Sequence, residues 1–112
     1  MPEEQKLYTP PPIKGYRKLT QAEVDLTNEI KEHGEKTAAL IAKVQAHVEK
    51  VNLRITEDEM QAEEGSEAVA KARDERNEFL KAEPFRWIAM ARTSLQIGQM
   101  ELTRAVTRPP NF

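Results

Sequence analysis

Residues 85–106 read FRWIAMARTSLQIGQMELTRAV and form the clearest helical pattern in the chain. Pro84 precedes them, at a position that the first turn of a helix tolerates, and Pro109-Pro110 follow. The pattern predicts an amphipathic helix, because apolar residues recur at helical spacing at Ile88, Ala91, Leu95, Leu102 and Val106. Apolar side chains also fall beside or opposite this stripe, at Met90, Ile97 and Met100. More than one face of the helix must therefore be packed against other apolar surfaces. One neighbouring helix cannot cover both faces, so we expect several copies of the chain to assemble.

A second long helix is predicted upstream, starting at Thr20-Gln21-Ala22-Glu23. Threonine followed by glutamate three residues later is a capping box, which marks a helix N-terminus. Apolar residues then recur at helical spacing at Leu26, Ile30, Leu40, Ile41, Val44, Val48, Val51 and Ile55. Gly34 interrupts the pattern at a cost of about 1 kcal/mol relative to alanine, and the next stop is Gly65-Ser66. The helix would span roughly 65 Å.

The remaining segments complete an all-α antiparallel helical hairpin. Residues 67–82 are strongly helix-forming, and Pro84 kinks or restarts the helix that follows. The arm after the turn nearly equals the arm before it in length, as in a hairpin with a kinked second arm. We expect residues 1–19 to be an N-terminal arm with a ligand-contacting loop, and residues 20–108 to be the hairpin domain. So thin a hairpin cannot bury Trp87, which again predicts a homo-oligomer.

Composition and charge narrow the function. The 112-residue chain is 32% charged and 38% hydrophobic, as in exposed helices rather than a compact α/β enzyme. It has no cysteine, so we expect neither disulfides nor thiolate chemistry, and a reducing cytoplasm is compatible. No apolar run approaches the roughly 20 residues that span a bilayer, and the N-terminus lacks the apolar core of a signal peptide. We therefore expect no membrane association.

The charge is divided unevenly along the chain. Residues 1–20 carry four cations and two acids, a net +2, and residues 86–112 carry four and one, a net +3. Residues 21–85 must then carry −7, since the whole chain carries −2. If the chain folds back once, the two basic segments meet at one end. This favours a local anion site there over a surface for duplex DNA or RNA, which would need a basic domain.

No pattern of residues predicts an enzyme, a metal site or a cofactor. Neither His33 nor His47 follows a glutamate by three residues, so the Glu-x-x-His unit of di-iron bundles is missing. No local Ser-His pair occurs, and four scattered glycines form no phosphate loop. The many Glu/Lys pairs of the first helix are expected to form a solvated face.

The first candidate binding group combines Tyr16 and Arg17, before the first helix, with Lys31, about three turns into it. A tyrosine on a loop offers a flat face to a nucleobase, and a lysine offers a point charge to a phosphate. The alternative is that Tyr16 packs against the hairpin and that Lys31 is an ordinary surface residue.

The second candidate group is Arg86, Arg92 and Thr93. Arg86 and Thr93 lie two turns apart on one predicted face, and a guanidinium can donate two hydrogen bonds to a phosphate. The alternative is a structural ion pair between an arginine and glutamates of the other helix.

Two segments carry a resemblance: GYRKLTQAEVDLTNEIK, residues 15–31, and RWIAMARTSLQIGQMELTRAV, residues 86–106. Their most specific parts are Tyr-Arg-x-Leu, Asn28-x-Ile-Lys31, Ala91-x-Thr93-x-Leu-Gln96 and Arg104-Ala-Val. Together they resemble the small phage anti-CBASS proteins, cyclic-nucleotide sponges with a helical-hairpin domain. The acidic middle of the chain and the proline-bearing arm do not contribute to the resemblance.

The resemblance implies a non-enzymatic binder that forms compact homohexamers of interlocked hairpins in the host cytoplasm. Pockets shared between protomers would hold host cyclic oligonucleotides and so block CBASS antiphage immunity. Tyr16 would stack on a base and Lys31 would contact a phosphate of a cyclic dinucleotide such as cGAMP, with Arg17 as a further contact. Arg86 and Thr93 would belong to a separate pocket for cyclic trinucleotides. The choice of arginine stays open, since Arg92 is also close.

Two other functions stay open on the residues alone. A structural or assembly coiled-coil protein of a phage would use the long apolar stripe and the charged faces. It would form filaments or bind another protein, and it would be indifferent to Tyr16→Ala and Lys31→Ala. An enzyme that degrades the same signals would release a product, but the sequence offers it no nucleophile and no metal cluster.

Overall fold

The computed structural model describes residues 18–110, which form an antiparallel helical hairpin. Its helices are α1 (Gln21–Gln61), α2 (Glu67–Ala82) and α3 (Pro84–Thr107). Both α2 and α3 pack against α1, so one broken arm lies along one continuous arm. The described part of the chain contains no strand. The predicted all-α hairpin with a kinked second arm is confirmed.

The first helix begins where the capping box predicts. The backbone N–H of Glu23 donates to Thr20 Oγ1 at 3.2 Å, and the N–H of Thr20 donates to Glu23 Oε1 at 2.8 Å. These two bonds satisfy donors that the start of a helix otherwise leaves unpaired.

The first helix ends at Gln61, earlier than the predicted stop at Gly65. Its C-terminal turns contain Asp58 and Glu59, and the last turn has no basic residue. Negative side chains are unfavourable there, because the carbonyl end of a helix carries partial negative charge. The chain then turns at Gly65, where φ is 76°, and Ser66 caps α2 as its type predicts.

The second arm is interrupted at Glu83. This residue has φ 48° and ψ 52°, a left-handed conformation that few residues other than glycine adopt. Pro84 occupies the first turn of α3, where its missing N–H breaks no helical bond. The rings of Phe79 and Phe85 pack edge to face across the interruption, with centroids 6.1 Å apart. The second arm is therefore kinked at this point, where α2 ends and Pro84 starts a new helix.

The turn end of the hairpin is held by a small core and by ion pairs. The buried hydrophobic side chains of the described residues are Ile55, Val69, Ala72 and Ile88. Beside them, Arg76 Nη1 lies 2.6 Å from Glu59 Oε2, and Arg54 pairs with Glu75. The Arg54 guanidinium, which hydrogen-bonds to Glu75, lowers the pKa of that carboxyl below its ordinary value.

Most large apolar side chains of the described residues stay exposed. Fourteen are exposed, against three that are buried, and the exposed ones include Trp87 at 59% and Met100 at 65%. The apolar stripes predicted on α1 and α3 are therefore covered only in part by packing within one protomer. Among residues 18–110, no helix has the length and the apolar character that a membrane span requires.

Candidate functional site

The open end of the hairpin brings together the end of α3 and the start of α1. Arg108 Nη2 lies 3.5 Å from Glu23 Oε2, so the last residues of α3 lie beside the first turn of α1. Lys18 precedes this turn, and Arg104 lies in the last turn of α3. The two ends of the hairpin therefore meet, as predicted; Lys6, Lys14 and Arg17, which carry most of the basic charge of the N-terminal segment, lie outside the described residues.

Lys31 is the member of the first candidate group that the structure places. It is exposed on α1, and within residues 18–110 its ammonium forms no ion pair. An exposed, unengaged ammonium on a rigid helix is available to an anionic ligand. Tyr16 and Arg17 lie outside the described residues, so their place relative to Lys31 stays a prediction.

The members of the second candidate group lie in different surroundings. Arg86 Nη1 lies 3.0 Å from Glu83 Oε2, beside the start of its own helix and not against a glutamate of α1. Arg92 instead crosses to the other arm, where its Nη2 donates to Gln45 Oε1 at 2.9 Å. Thr93 is exposed. The structure thus brings one arginine of this group, Arg92, into the space between the arms.

Arg92 lies in a groove between α1 and α3 that we call the polar groove. It encloses about 440 Å³. Its lining combines one guanidinium, one carboxylate, four amides or hydroxyls and several alanines: Gly34, Thr37, Ala38, Ile41, Ala42, Gln45, Ala46, Glu49, Arg92, Leu95, Gln96 and Gln99. The alanines keep its floor low, while the glutamines offer both donors and acceptors. Such a lining can hold a polar, planar or anionic group.

A second groove follows the opposite side of the same helix pair, and we call it the apolar groove. It encloses about 600 Å³. Leucine and isoleucine side chains dominate its lining, which is Leu26, Glu29, Ile30, His33, Gly34, Thr37, Ser94, Leu95, Gly98, Gln99 and Leu102. It offers no arginine or lysine to a phosphate, so it is the poorer candidate for an anion.

Gln99 and Gly34 border both grooves. The Nε2 amide of Gln99 donates to the backbone carbonyl of Ile30 at 3.2 Å and so joins α3 to α1. Sequence reasoning did not find this contact. The only indication in the sequence was Gly34, a glycine in the interior of a long helix. Such a glycine lowers helix stability, so its presence calls for a local reason such as a close contact.

The described residues offer no site for a metal ion. Within residues 18–110, no three His, Asp or Glu side chains come together in a way that could hold one. The described members of the two candidate groups instead offer an ammonium at Lys31 and a guanidinium with amides around Arg92.

Comparison with known proteins agrees with the architecture. The sequence model of the Acb2/Tad1 hairpin domain matches residues 11–107. The chain is also 36% identical over 104 residues to Anti-CBASS protein 2 of Pseudomonas phage JBD67, an alignment that covers 87% of this chain and 91% of that protein. Both matches extend through the acidic middle, which lies outside the two segments that carry the resemblance. The chain belongs to the Acb2/Tad1 hairpin-domain family.

Proposed function

We propose that the protein binds cyclic oligonucleotide second messengers of a bacterial host, holds them without chemical change, and so blocks CBASS antiphage immunity. The observation that carries this proposal is the similarity to Anti-CBASS protein 2 over 87% of the chain. The proposed place of action is the host cytoplasm.

The proposed site for a cyclic dinucleotide combines Lys31 with Tyr16 and Arg17. The ammonium of Lys31 would contact a phosphate, and Tyr16 would stack on a base. The exposure of Lys31 and its lack of an ion pair within residues 18–110 support this role, since binding would break no existing pair.

The proposed site for a cyclic trinucleotide is the polar groove, with Arg92 as its cation and Thr93 at its edge. Arg92 is favoured over Arg86, because it already projects between the arms and its partner there is a neutral amide. Arg86 is engaged by a carboxylate, which a phosphate would have to displace. A guanidinium can also bind a phosphate through two parallel hydrogen bonds.

We further propose that the protein acts as a homohexamer. The fourteen exposed large apolar side chains of the described residues support self-association, because a soluble monomer rarely exposes so much apolar surface. Pockets shared between copies would multiply the number of ligands held by one small chain.

The ligand's chemistry suits capture without turnover. A cyclic dinucleotide is a rigid ring with two negative charges and two aromatic faces. It loses little conformational entropy on binding, so a preformed pocket can hold it tightly. An inhibitor of this kind needs slow release and a sufficient number of sites, and it gains nothing from catalysis.

The test is a titration of purified protein with cyclic di- and trinucleotides, in which isothermal calorimetry measures the heat of binding. The complex is then heat-denatured, and the released nucleotide is identified by chromatography. We expect binding and the return of intact ligand. Recovery of a linear product would instead indicate an enzyme. No binding to any of these rings, together with filaments seen by microscopy, would indicate a structural protein.

A further inference from the structure

A glutamine of α3 reaches the backbone of α1. The Nε2 amide of Gln99 donates to the carbonyl oxygen of Ile30 at 3.2 Å, in a half-buried contact. The carbonyl of a helical residue accepts one N–H within its own helix, and its second lone pair can accept another. Because this bond ends on backbone, it fixes the position of a whole turn of α1 relative to α3.

Gly34 leaves the space that this bond needs. A Cβ atom at residue 34 would lie 2.0 Å from Gln99 Nε2 and 2.4 Å from Gln99 Oε1, both far below contact distance. A glycine in the interior of a helix lowers its stability relative to alanine. At this position the loss has a local reason, because only glycine admits the amide of Gln99.

The turn of α1 that Gln99 holds is the turn that carries Lys31. Lys31 follows Ile30 directly and precedes Gly34 by three residues. One helical turn moves as a unit, since its backbone bonds link each residue to the fourth one before it. The hydrogen bond to Ile30 therefore also sets the point from which the side chain of Lys31 leaves the hairpin.

We propose that Gln99 and Gly34 are positioning residues for the cyclic-dinucleotide site. Through the Ile30 carbonyl they hold the Lys31 turn in register with α3, so that the ammonium is presented to a phosphate at one fixed place. This inference rests on the proposed binding role of Lys31. Gln99 acts through the backbone of α1, and no contact between Gln99 and the ligand is part of the inference.

The first test measures affinity for 3′,3′-cGAMP by calorimetry, well below the unfolding temperature of every variant. Gln99→Met keeps the length of the side chain and removes the donor, and Gly34→Ala blocks the place of the amide. Each single change is expected to weaken binding on the order of fivefold. The double variant is expected to bind no more weakly than either single one, since both remove the same hydrogen bond.

Matched controls separate this effect from general consequences of the substitutions. Gln61→Met makes the same chemical change at an exposed glutamine at the other end of α1. Gly98→Ala makes the same change in α3, where an added Cβ has no atom of the protomer within 4 Å. Both are expected to leave the affinity unchanged.

The second test needs no ligand. The chain has no cysteine of its own, so Glu32→Cys and Glu101→Cys place spin labels at exposed positions of α1 and α3. Electron-spin distance measurements use labelled protein diluted with unlabelled protein, which suppresses distances between copies. Gln99→Met and Gly34→Ala are expected to broaden or shift the label distance, whereas Gln61→Met is expected to leave it unchanged.

The outcomes separate the inference from the proposed function. Wild-type protein that binds no cyclic dinucleotide overturns the proposed dinucleotide site at Lys31 and the positioning role with it, whereas the proposed function falls only if no cyclic trinucleotide is bound either. Wild-type protein that binds, with Gln99→Met and Gly34→Ala binding equally well, overturns the positioning role alone, even if both variants unfold at lower temperature. Unchanged label distances in both variants overturn it as well.

Discussion

Lys31 and Arg92 lie on the same side of the hairpin, about 21 Å apart along its axis. Arg92 is level with Gln45, to which it donates a hydrogen bond at 2.9 Å, and residue 45 follows residue 31 by 14 positions, close to four full turns. This spacing supports the proposal of two separate sites, and each site can be tested by its own substitution.

Loss of the Lys31 ammonium is expected to weaken cyclic-dinucleotide binding. Lys31→Ala should lower the affinity roughly 10- to 100-fold, because a charge-assisted contact to a phosphate is lost. Calorimetry provides the measurement. Lys36→Ala is the matched control, since it removes an exposed lysine that points away from Lys31 on the same helix. Equal affinity of the two variants would contradict the proposed role of Lys31.

Loss of the Arg92 guanidinium is expected to weaken cyclic-trinucleotide binding more than cyclic-dinucleotide binding. Arg92→Ala should lower trinucleotide affinity at least about tenfold, because the cation of the polar groove is removed. Arg86→Ala serves as the comparison, since Arg86 is paired with Glu83 outside the groove. If Arg86→Ala has the larger effect, the assignment of Arg92 is wrong.

Acid is expected to remove the contribution of the Arg54–Glu75 pair to stability. The pKa of Glu75 is lowered from its ordinary value of 4.5, chiefly by the hydrogen bond from Arg54. A lowered pKa in the folded state means that the stabilisation is fully present above 4.5 and disappears as the pH falls through the folded-state value. Glu75→Gln should therefore lower the urea midpoint at pH 7 and have no effect in strong acid.

The control for this measurement is Glu78→Gln, which makes the same change at an exposed glutamate of α2. It forms no ion pair within residues 18–110, so it should change the urea midpoint little at either pH. A difference between wild type and Glu75→Gln that persists in strong acid would show that the pair is not the cause.

Glycine at position 83 is expected to stabilise the hairpin. Glu83 adopts a left-handed conformation, which costs a non-glycine residue about 1 kcal/mol or more. Glu83→Gly should relieve this strain and raise the unfolding temperature by about 4 °C. Glu83→Ala keeps the strain and loses the ion pair to Arg86, so it should lower that temperature slightly. Both are compared at equal protein concentration, since self-association would shift the transition.

The hairpin itself could be predicted because each of its boundaries has a local cause. The Thr20–Glu23 capping box and Pro84 act on neighbouring residues, and the structure shows both at the expected places. The end of α1 was predicted too late. Gly65 is the obvious helix-breaking residue in the sequence. The acidic residues in the last turns before Gln61 disfavour the helix earlier, because they lie at its negative end.

The site was less accessible to sequence reasoning, because its contacts join residues far apart in the chain. The Gln99–Ile30 hydrogen bond links positions 69 residues apart, and it becomes visible only when the register of the two arms is known. Arg86 and Arg92 likewise look equivalent in the sequence. They differ in the structure because Arg86 forms an ion pair with Glu83, whereas Arg92 donates a hydrogen bond to Gln45 on the other arm.

The position of the core has a consequence for how the protein unfolds. Ile55, Val69 and Ala72 lie near the turn, whereas the end that carries Thr20 and Arg108 has no buried side chain among the described residues. A gradient of local opening follows, in which backbone amides near the free ends exchange their hydrogens soonest. Backbone amides at that end would exchange more slowly if a neighbouring copy or a bound cyclic nucleotide covered them. Binding of the ligand would then also make the open end of the hairpin more rigid.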